Sequence, residues 1–349
     1  MTYLITIITT FILIVFLLSK AKKWELIDFP GDHRGHDKPT PIIGGIAMFV
    51  GSMVGLIWYG VDWPFIGSLL LSGGFILGVG VWDDRHNTTY FFRFVGQLIA
   101  AAIMIKTGGI VLDDLGYLVS NELVPLNRWA VALTLFAIVG VINAFNMSDG
   151  IDGLAGSLSL ITVGSLIIVA LLSGHIQDVN YLMVFGSAII AFLFFNVRIL
   201  GYLHARIFMG DAGSMWLGII ISCFLIKLSQ GEYRAMTPVT ALWITAIPLF
   251  DAVSSLVRRA IRGKSPFHAD RAHYHHYILS LGYSVNQAVL IASACALILA
   301  TIGLVLAYVG VPESLMFFGF LGAFVCYVVV LEFAEHKLGL INGTKRRSK

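Results

Sequence analysis

Residues 129–172 read WAVALTLFAIVGVINAFNMSDGIDGLAGSLSLITVGSLIIVALL. Two apolar runs, Trp129–Phe145 and Gly156–Leu172, flank one short polar segment. Neither run alternates apolar and polar residues, so neither reads as a half-buried strand. Each approaches the roughly 20 helical residues that cross a ~30 Å hydrocarbon layer. A helix pairs its own backbone polar groups inside lipid, where no water can do so. The stretch therefore predicts helix, polar turn, helix. The same pattern runs along the chain as about eleven apolar spans, from Tyr3–Leu18 to Leu315–Phe333. The expected fold is an all-α polytopic membrane protein with one domain over residues 1–349. No soluble domain and no internal repeat is legible.

Composition points the same way. The chain is 58% hydrophobic and 12% charged, with a mean hydropathy of +0.86, against the roughly 25% charged residues of a soluble protein. Cys223, Cys295 and Cys326 all fall inside spans, so they read as packing residues and imply no disulfide framework. Met1–Leu18 lacks a basic leader and a small-residue cleavage site, which makes it a retained first helix. The net charge of +3 gives no reason to expect nucleic acid and suits a protein facing anionic lipid.

Nineteen of the 23 Lys and Arg residues fall on one side of the expected membrane, leaving Lys106, Arg128, Lys227 and Arg234 on the other. Flanking positive charge resists translocation. The N-terminus is therefore expected outside and the C-terminus in the cytoplasm. The segments 19–42, 83–93, 146–155, 196–214 and 258–284 would then form a cytoplasmic reaction surface, and nearly all polar motifs lie in them.

The turn of the opening stretch is the most specific of these. Asn143, Asn146, Asp149 and Asp152 recur every third residue, close to one face if the helix continues. Gly150 and Gly153 permit a tight turn and close approach of a ligand. No Lys or Arg in the loop offsets the acids, so a metal or a polar base and ribose would satisfy them. Asp83-Asp84-Arg85 ends the third span. Two adjacent carboxylates at membrane depth call for a compensating cation, although a plain helix end at the headgroups also looks like this. Phe208-Met-Gly-Asp211-Ala-Gly-Ser214 opens the eighth span after Asn196, Arg198 and Arg206. One Asp among glycines at a helix start suits a phosphate–metal site. Ser265–His276 brings His273, His275 and His276 beside Arg271. Zinc lacks a second ligand cluster there, and a diphosphate clamp reads better. Asp251, inside the ninth span, is either functional or paired with a neighbouring span. Lys38 before Pro39 and Pro41 meets a phosphate or simply marks the inner side.

These motifs together resemble the polyprenyl-phosphate N-acetylhexosamine-1-phosphate transferases, over roughly residues 22–282. The likeness rests on Pro41–Gly45, Asp83–Arg85, Asn143–Leu154, Phe208–Ser214, Pro238–Trp243 and Asp270–His276. The last motif is similar to the GlcNAc-type members and unlike the muramoyl-pentapeptide branch, which has three consecutive histidines. The resemblance implies transfer of GlcNAc-1-phosphate from UDP-GlcNAc to undecaprenyl phosphate, with release of UMP, in a bacterial cytoplasmic (inner) membrane. It implies Mg²⁺, with Mn²⁺ as a substitute, on Asp211 and Asn146. Asp83 and Asp84 would position or deprotonate the lipid phosphate, and Asp149 would join the catalytic set. Asp152, Asn196 and Phe208 would contact the uracil. His273, His275, His276 and Arg271 would contact the sugar phosphate or diphosphate, and Lys38 a phosphate. Membrane lipid is an expected partner, and a homo-oligomer is compatible with the sequence. A transporter is the other reading of many spans with polar breaks. The gathering of polar residues at one face, with no repeat, speaks against it.

Overall fold

The structure is a computed structural model and describes residues 1–29, 38–60, 63–119, 122–198, 204–261, 263 and 273–347. In chain order the helices are α1 (Thr2–Leu18), α2 (Gly44–Tyr59), α3 (Phe65–His86), α4 (Tyr90–Gly108), α5 (Ala130–Met147), α6 (Leu154–Leu172) and α7 (Ile176–Asn196). They continue as α8 (Gly210–Ser229), α9 (Pro238–Ile244), α10 (Ala246–Ile261), α11 (Tyr274–Ser280), α12 (Val285–Tyr308) and α13 (Glu313–Arg347). One antiparallel pair, β1 (Ile27–Asp28) with β2 (Thr40–Pro41), joins α1 to α2. Among the described residues, eight helices are long and apolar enough to cross a membrane. The α9–α10 pair is a bent ninth candidate, and α1 and α2 are shorter apolar helices. The fold is an all-α polytopic membrane protein.

Helix ends follow local chemistry. Thr89 caps α4 by accepting from Phe92 N–H, and Ser284 with Gln287 forms a capping box on α12. Asn87 closes α3 in the left-handed region at φ 48°, which Asn tolerates better than most residues. Only residues 87–89 separate α3 from α4. The expected open segment 83–93 is thus mostly helical, and this rigidity fixes Asp83, Asp84 and Arg93 in place.

Helix α8 is the axis. It is almost wholly buried, with α2, α3, α5 and α6 packed around it, whereas α12 and α13 expose most of their surface. Two glycines let the neighbours reach its first turn. A Cβ on Gly45 would lie 2.4 Å from Gly213 N, and one on Gly80 would lie 2.3 Å from Ala212 Cα. No side chain fits such a gap, so these approaches require glycine. They bring α2 and α3 against the turn that carries Asp211.

One expected span is not straight. Residues 239–257 were read as one helix, but the chain bends by 85° between α9 and α10. Pro248 explains the break: it has no N–H for the Ile244 carbonyl, and its ring crowds that oxygen. The bend leaves Asp251 on α10, buried against the segment that starts α11. The Asn/Asp row of the opening stretch also departs from expectation. Helix α5 ends at Met147, so Asp149 and Asp152 sit on a turn and do not continue one helical face.

Candidate active site

The polar ends of α3, α5, α7 and α8 meet in one cavity of 950 Å³. Of the expected site residues, Asp83, Asp84, Asn146, Asp149, Asp152, Asn196, Phe208, Asp211 and His276 all line it. Lys38 is exposed just before β2 and is not among the lining residues. His273 and His275 stand behind the wall, and Arg271 lies outside the described residues.

The two adjacent acids of α3 have different work. Asp84 accepts N–H bonds from Asp211 (2.8 Å) and Ala212 (3.2 Å), so it caps the start of α8 from a neighbouring helix. The positive end of that helix favours the charge. Arg85 pairs with Glu25 at 2.6 Å, leaving Asp84 to the α8 backbone. Asp83 turns the other way. One oxygen accepts from the Thr88 N–H (2.9 Å) and hydroxyl, and the other lies 3.4 Å from Arg93.

Asp211 is the meeting point. Asn146 donates to one of its oxygens and Arg93 to the other at 3.0 Å. Asn146 also donates to the Ser214 hydroxyl at 2.9 Å, which aims its amide. The Asp83 and Asp211 carboxylates lie within hydrogen-bonding reach of each other. Arg93 was counted in the sequence only as one more inner-side charge. Its signal was its position one turn into α4, directly after the segment that follows the acid pair. Asn143 instead bonds Gln97 at 2.7 Å, on the stem of α5.

The rest of the cavity splits into held and unheld groups. Asn196 accepts from Gly153 N–H (2.8 Å) and donates to the Ile207 carbonyl (2.9 Å), tying two loops of the wall together. Asp152 pairs with Arg198 at 2.6 Å and accepts from Ala205 N–H at 3.0 Å. Phe208 joins this wall to the α2 entry through its N–H to Pro41 O, at 2.8 Å. Among the described residues, the charges that act on Asp149 are those of Asp211 and Asp152. Burial, then Asp211 and Asp152, push its carboxyl up to about 7. Behind the wall, His273 Nδ1 lies 2.7 Å from Asp251, and the two ring nitrogens of buried His275 have no partner among the described residues. Burial and the neighbouring His276 hold the His275 imidazole down to about 3, hence neutral.

Asp83, Asp84 and Asp211 offer carboxylate oxygens, and Asn146 has an amide oxygen besides the N–H it gives to Asp211. Among the described residues no three His, Cys, Asp or Glu side chains form a closed metal cage. Carboxylate oxygens suit a hard cation such as Mg²⁺, which keeps water and phosphate oxygens and takes only one or two carboxylates. The set lacks the His and Cys ligands that dominate tetrahedral zinc sites.

A membrane-embedded helical bundle with an acid-rich cavity at one end is thus defined. Residues 66–229 match the model for glycosyl transferase family 4, and the chain belongs to that family. It is 35% identical over 350 residues to the undecaprenyl-phosphate alpha-N-acetylglucosaminyl 1-phosphate transferase of Escherichia coli (strain K12), covering 99% of this chain and 95% of that protein. The protein of the same name from Salmonella typhimurium is 36% identical over 348 residues, covering 99% and 94%. That from Haemophilus influenzae is 35% identical over 350 residues, covering 99% and 97%. The family resemblance carried by the motifs is therefore shown over nearly the whole chain.

Proposed function

We propose that this chain transfers GlcNAc-1-phosphate from UDP-GlcNAc to undecaprenyl phosphate and releases UMP. The observation that carries the reading is the convergence of Asp83, Asp211 and Asn146 in one cavity, with Arg93 bridging the two acids at 3.4 and 3.0 Å, in a chain aligned end to end with transferases named for that reaction. A lipid phosphate oxygen attacks the β-phosphorus of UDP-GlcNAc. A new P–O–P bond forms and the bond to UMP breaks. Such a step needs positioning and charge neutralisation more than covalent chemistry from the protein. Asp83 orients the attacking phosphate and takes a proton from it where one is present. Arg93 sits between Asp83 and Asp211, where a phosphate would otherwise face two carboxylates. Asp211 and Asn146 would hold Mg²⁺, with Mn²⁺ as a substitute, and the cation would offset charge on the diphosphate. Asp149 and Asp152 border the nucleotide end, with Asn196 and Phe208 shaping it. His276 faces the diphosphate.

The eight long helices, the two shorter ones and the bent pair support eleven crossings. With 19 of the 23 Lys and Arg residues in the segments expected on the inner side, the N-terminus lies outside and the C-terminus and cavity face the cytoplasm of a bacterial inner membrane. The test is a detergent-solubilised assay with undecaprenyl phosphate and UDP-GlcNAc, with Mg²⁺ or with excess EDTA. Lipid-linked GlcNAc and UMP in equal amounts, lost with EDTA, are expected. Product from UDP-GalNAc but not UDP-GlcNAc would change the donor. No lipid-linked sugar from either would overturn the reading.

A further inference from the structure

Asp251 is a carboxylate that the proposed reaction leaves unused. It keeps 1% of its side chain exposed, while the His273 ring keeps 10%. One Asp251 oxygen accepts from His273 Nδ1 at 2.7 Å. The other accepts from Tyr274 N–H at 3.2 Å and from the Tyr327 hydroxyl at 3.0 Å. His273 is the N-cap of α11 and Tyr274 its first residue. A single side chain on the kinked helix thus grips both the cap and the first turn of α11. His276 lies on that turn and lines the cavity. Behind it His273 stacks over His275 at 5.6 Å and nearly parallel, and His275 meets His276 at 4.3 Å with the rings tilted by 47°. His275 in turn rests on Gly150 of the cavity turn, where a Cβ would meet its Nε2 at 2.3 Å.

We propose that Asp251 is a positioning residue: by holding His273 and the first turn of α11, it sets the place of His276 at the cavity wall. The proposal rests on the transferase reading for its kinetic test only. A carboxylate accepting from Nδ1 fixes that proton and the ring orientation. Asn in its place still accepts from Tyr274 but offers a rival donor toward His273 when its oxygen faces the backbone. The three histidines are then unequal, with His276 facing substrate and His273 serving as the tether.

The first measurement needs no activity: histidine-selective ¹⁵N NMR of the full chain in detergent micelles, with the His273 signal identified by its loss in His273→Asn. A proton on Nδ1, displaced in Asp251→Asn, is expected. An Nδ1 without a proton in the wild-type chain would overturn the proposal. The second is kinetic. Asp251→Asn should lower kcat by roughly 10–100-fold, the usual loss for a residue acting through another. KM for UDP-GlcNAc should stay within threefold, and the unfolding temperature close to wild type. Combined with His276→Ala it should cost no more than His276→Ala alone, because both act through one side chain. Additive losses would overturn the proposal. If Asp251→Asn does not fold, His273→Asn against His273→Ala decides. Asn can donate to Asp251 from the place of Nδ1, so it should recover at least tenfold of the activity lost in His273→Ala, and equal losses would overturn the tether. A wild-type chain with the Nδ1 proton but no transferase activity would remove the function and leave the tether standing.

Discussion

The bundle carries polar clusters at both ends, and they are built to opposite rules. At the end away from the cavity, acids and bases match. Arg234 lies 3.4 Å from Asp114 and 3.5 Å from Glu313, Lys227 pairs with Asp178, and Gln230 accepts from the Asp113 and Asp114 N–H groups at 2.8 and 3.1 Å. At the cavity end, Asp83, Asp84, Asp149, Asp152 and Asp211 face the cavity, with only Arg93 and Arg198 paired to them among the described residues. A folded chain does not leave like charges crowded at membrane depth without return. The matched end closes a structure, and the carboxylate-rich end suits the proposed transfer, whose phosphates and cation it would receive. Substitutions should therefore cost stability at one end and turnover at the other.

The largest effect is expected at Asp211. Asp211→Asn keeps the size of the side chain and an oxygen for Arg93, but it removes the charge at the meeting point of three helices. Turnover should fall by about 10³-fold or more, the scale for losing a preorganised electrostatic group. The unfolding temperature should hold, and the Mg²⁺ concentration for half activity should rise. Near-normal turnover at limiting Mg²⁺ would break the contrast between the two ends.

Asp83 and Asp84 sharpen it within a single helix turn. Adjacent helical residues point about 100° apart, and the structure gives Asp84 to the α8 backbone and Asp83 to Thr88 and Arg93. Asp83→Asn should lower kcat by about 10²–10⁴-fold, as for a lost proton acceptor, with UDP-GlcNAc affinity unchanged. Asp84→Ala should instead cost about 1 kcal/mol of stability, as for a lost helix cap. Its activity loss would follow from a loosened Asp211. Loss of UDP-GlcNAc binding in Asp83→Asn would move that residue to the donor side. A phosphoryl group trapped on it would replace direct attack with a two-step reaction.

The apolar spans were legible because lipid imposes one requirement, internal pairing of the backbone, on every crossing segment. The motifs at Asp83, Asn146, Asp149, Asp152 and Asp211 were legible because acids and glycines at span ends are costly unless used. Partner choice was not legible. Arg93 belongs to the site because only three residues separate α3 from α4, a property of the fold and not of the arginine. His273 and His276 look alike in sequence, yet they separate because Asp251, 22 residues upstream, reaches the first of them. The bend at Pro248 that lets it do so was hidden inside an apolar run that reads as one helix.

Asp149 offers a pH test of the crowded end. Its carboxyl titrates at about 7, against 3.8 for an ordinary one, through burial and the charges of Asp211 and Asp152. A raised acid contributes stability that is complete below the unfolded value. It is lost as pH rises through the folded one, because the folded chain must give up a proton at a cost the unfolded chain does not bear. The window is therefore about pH 4 to 7. Asp149→Asn mimics the protonated acid. It should raise the unfolding temperature by about 2–4 °C at pH 8 and leave it unchanged near pH 4. An equal shift at both values would show that the acid is not raised.

The smallest effect should come from the matched end. Arg234 spans Asp114 and Glu313, and Glu313 also accepts from Tyr117 N–H at 3.1 Å. The loop after α4 is thus pinned to the start of α13 by groups that already satisfy one another. Arg234 is 24% exposed, so solvent weakens each pairing to about 0.5–1 kcal/mol. Arg234→Gln keeps a donor and loses the charge. The unfolding temperature should drop by about 1–3 °C, and kcat and both KM values should stay within twofold of wild type, because no cavity group leans on this corner. The drop should shrink in high salt, since partly exposed pairs are screened. If Arg234→Gln instead cut turnover tenfold at unchanged stability, the far end would be coupled to the cavity through α8. The division between a closed end and a working end would then fail.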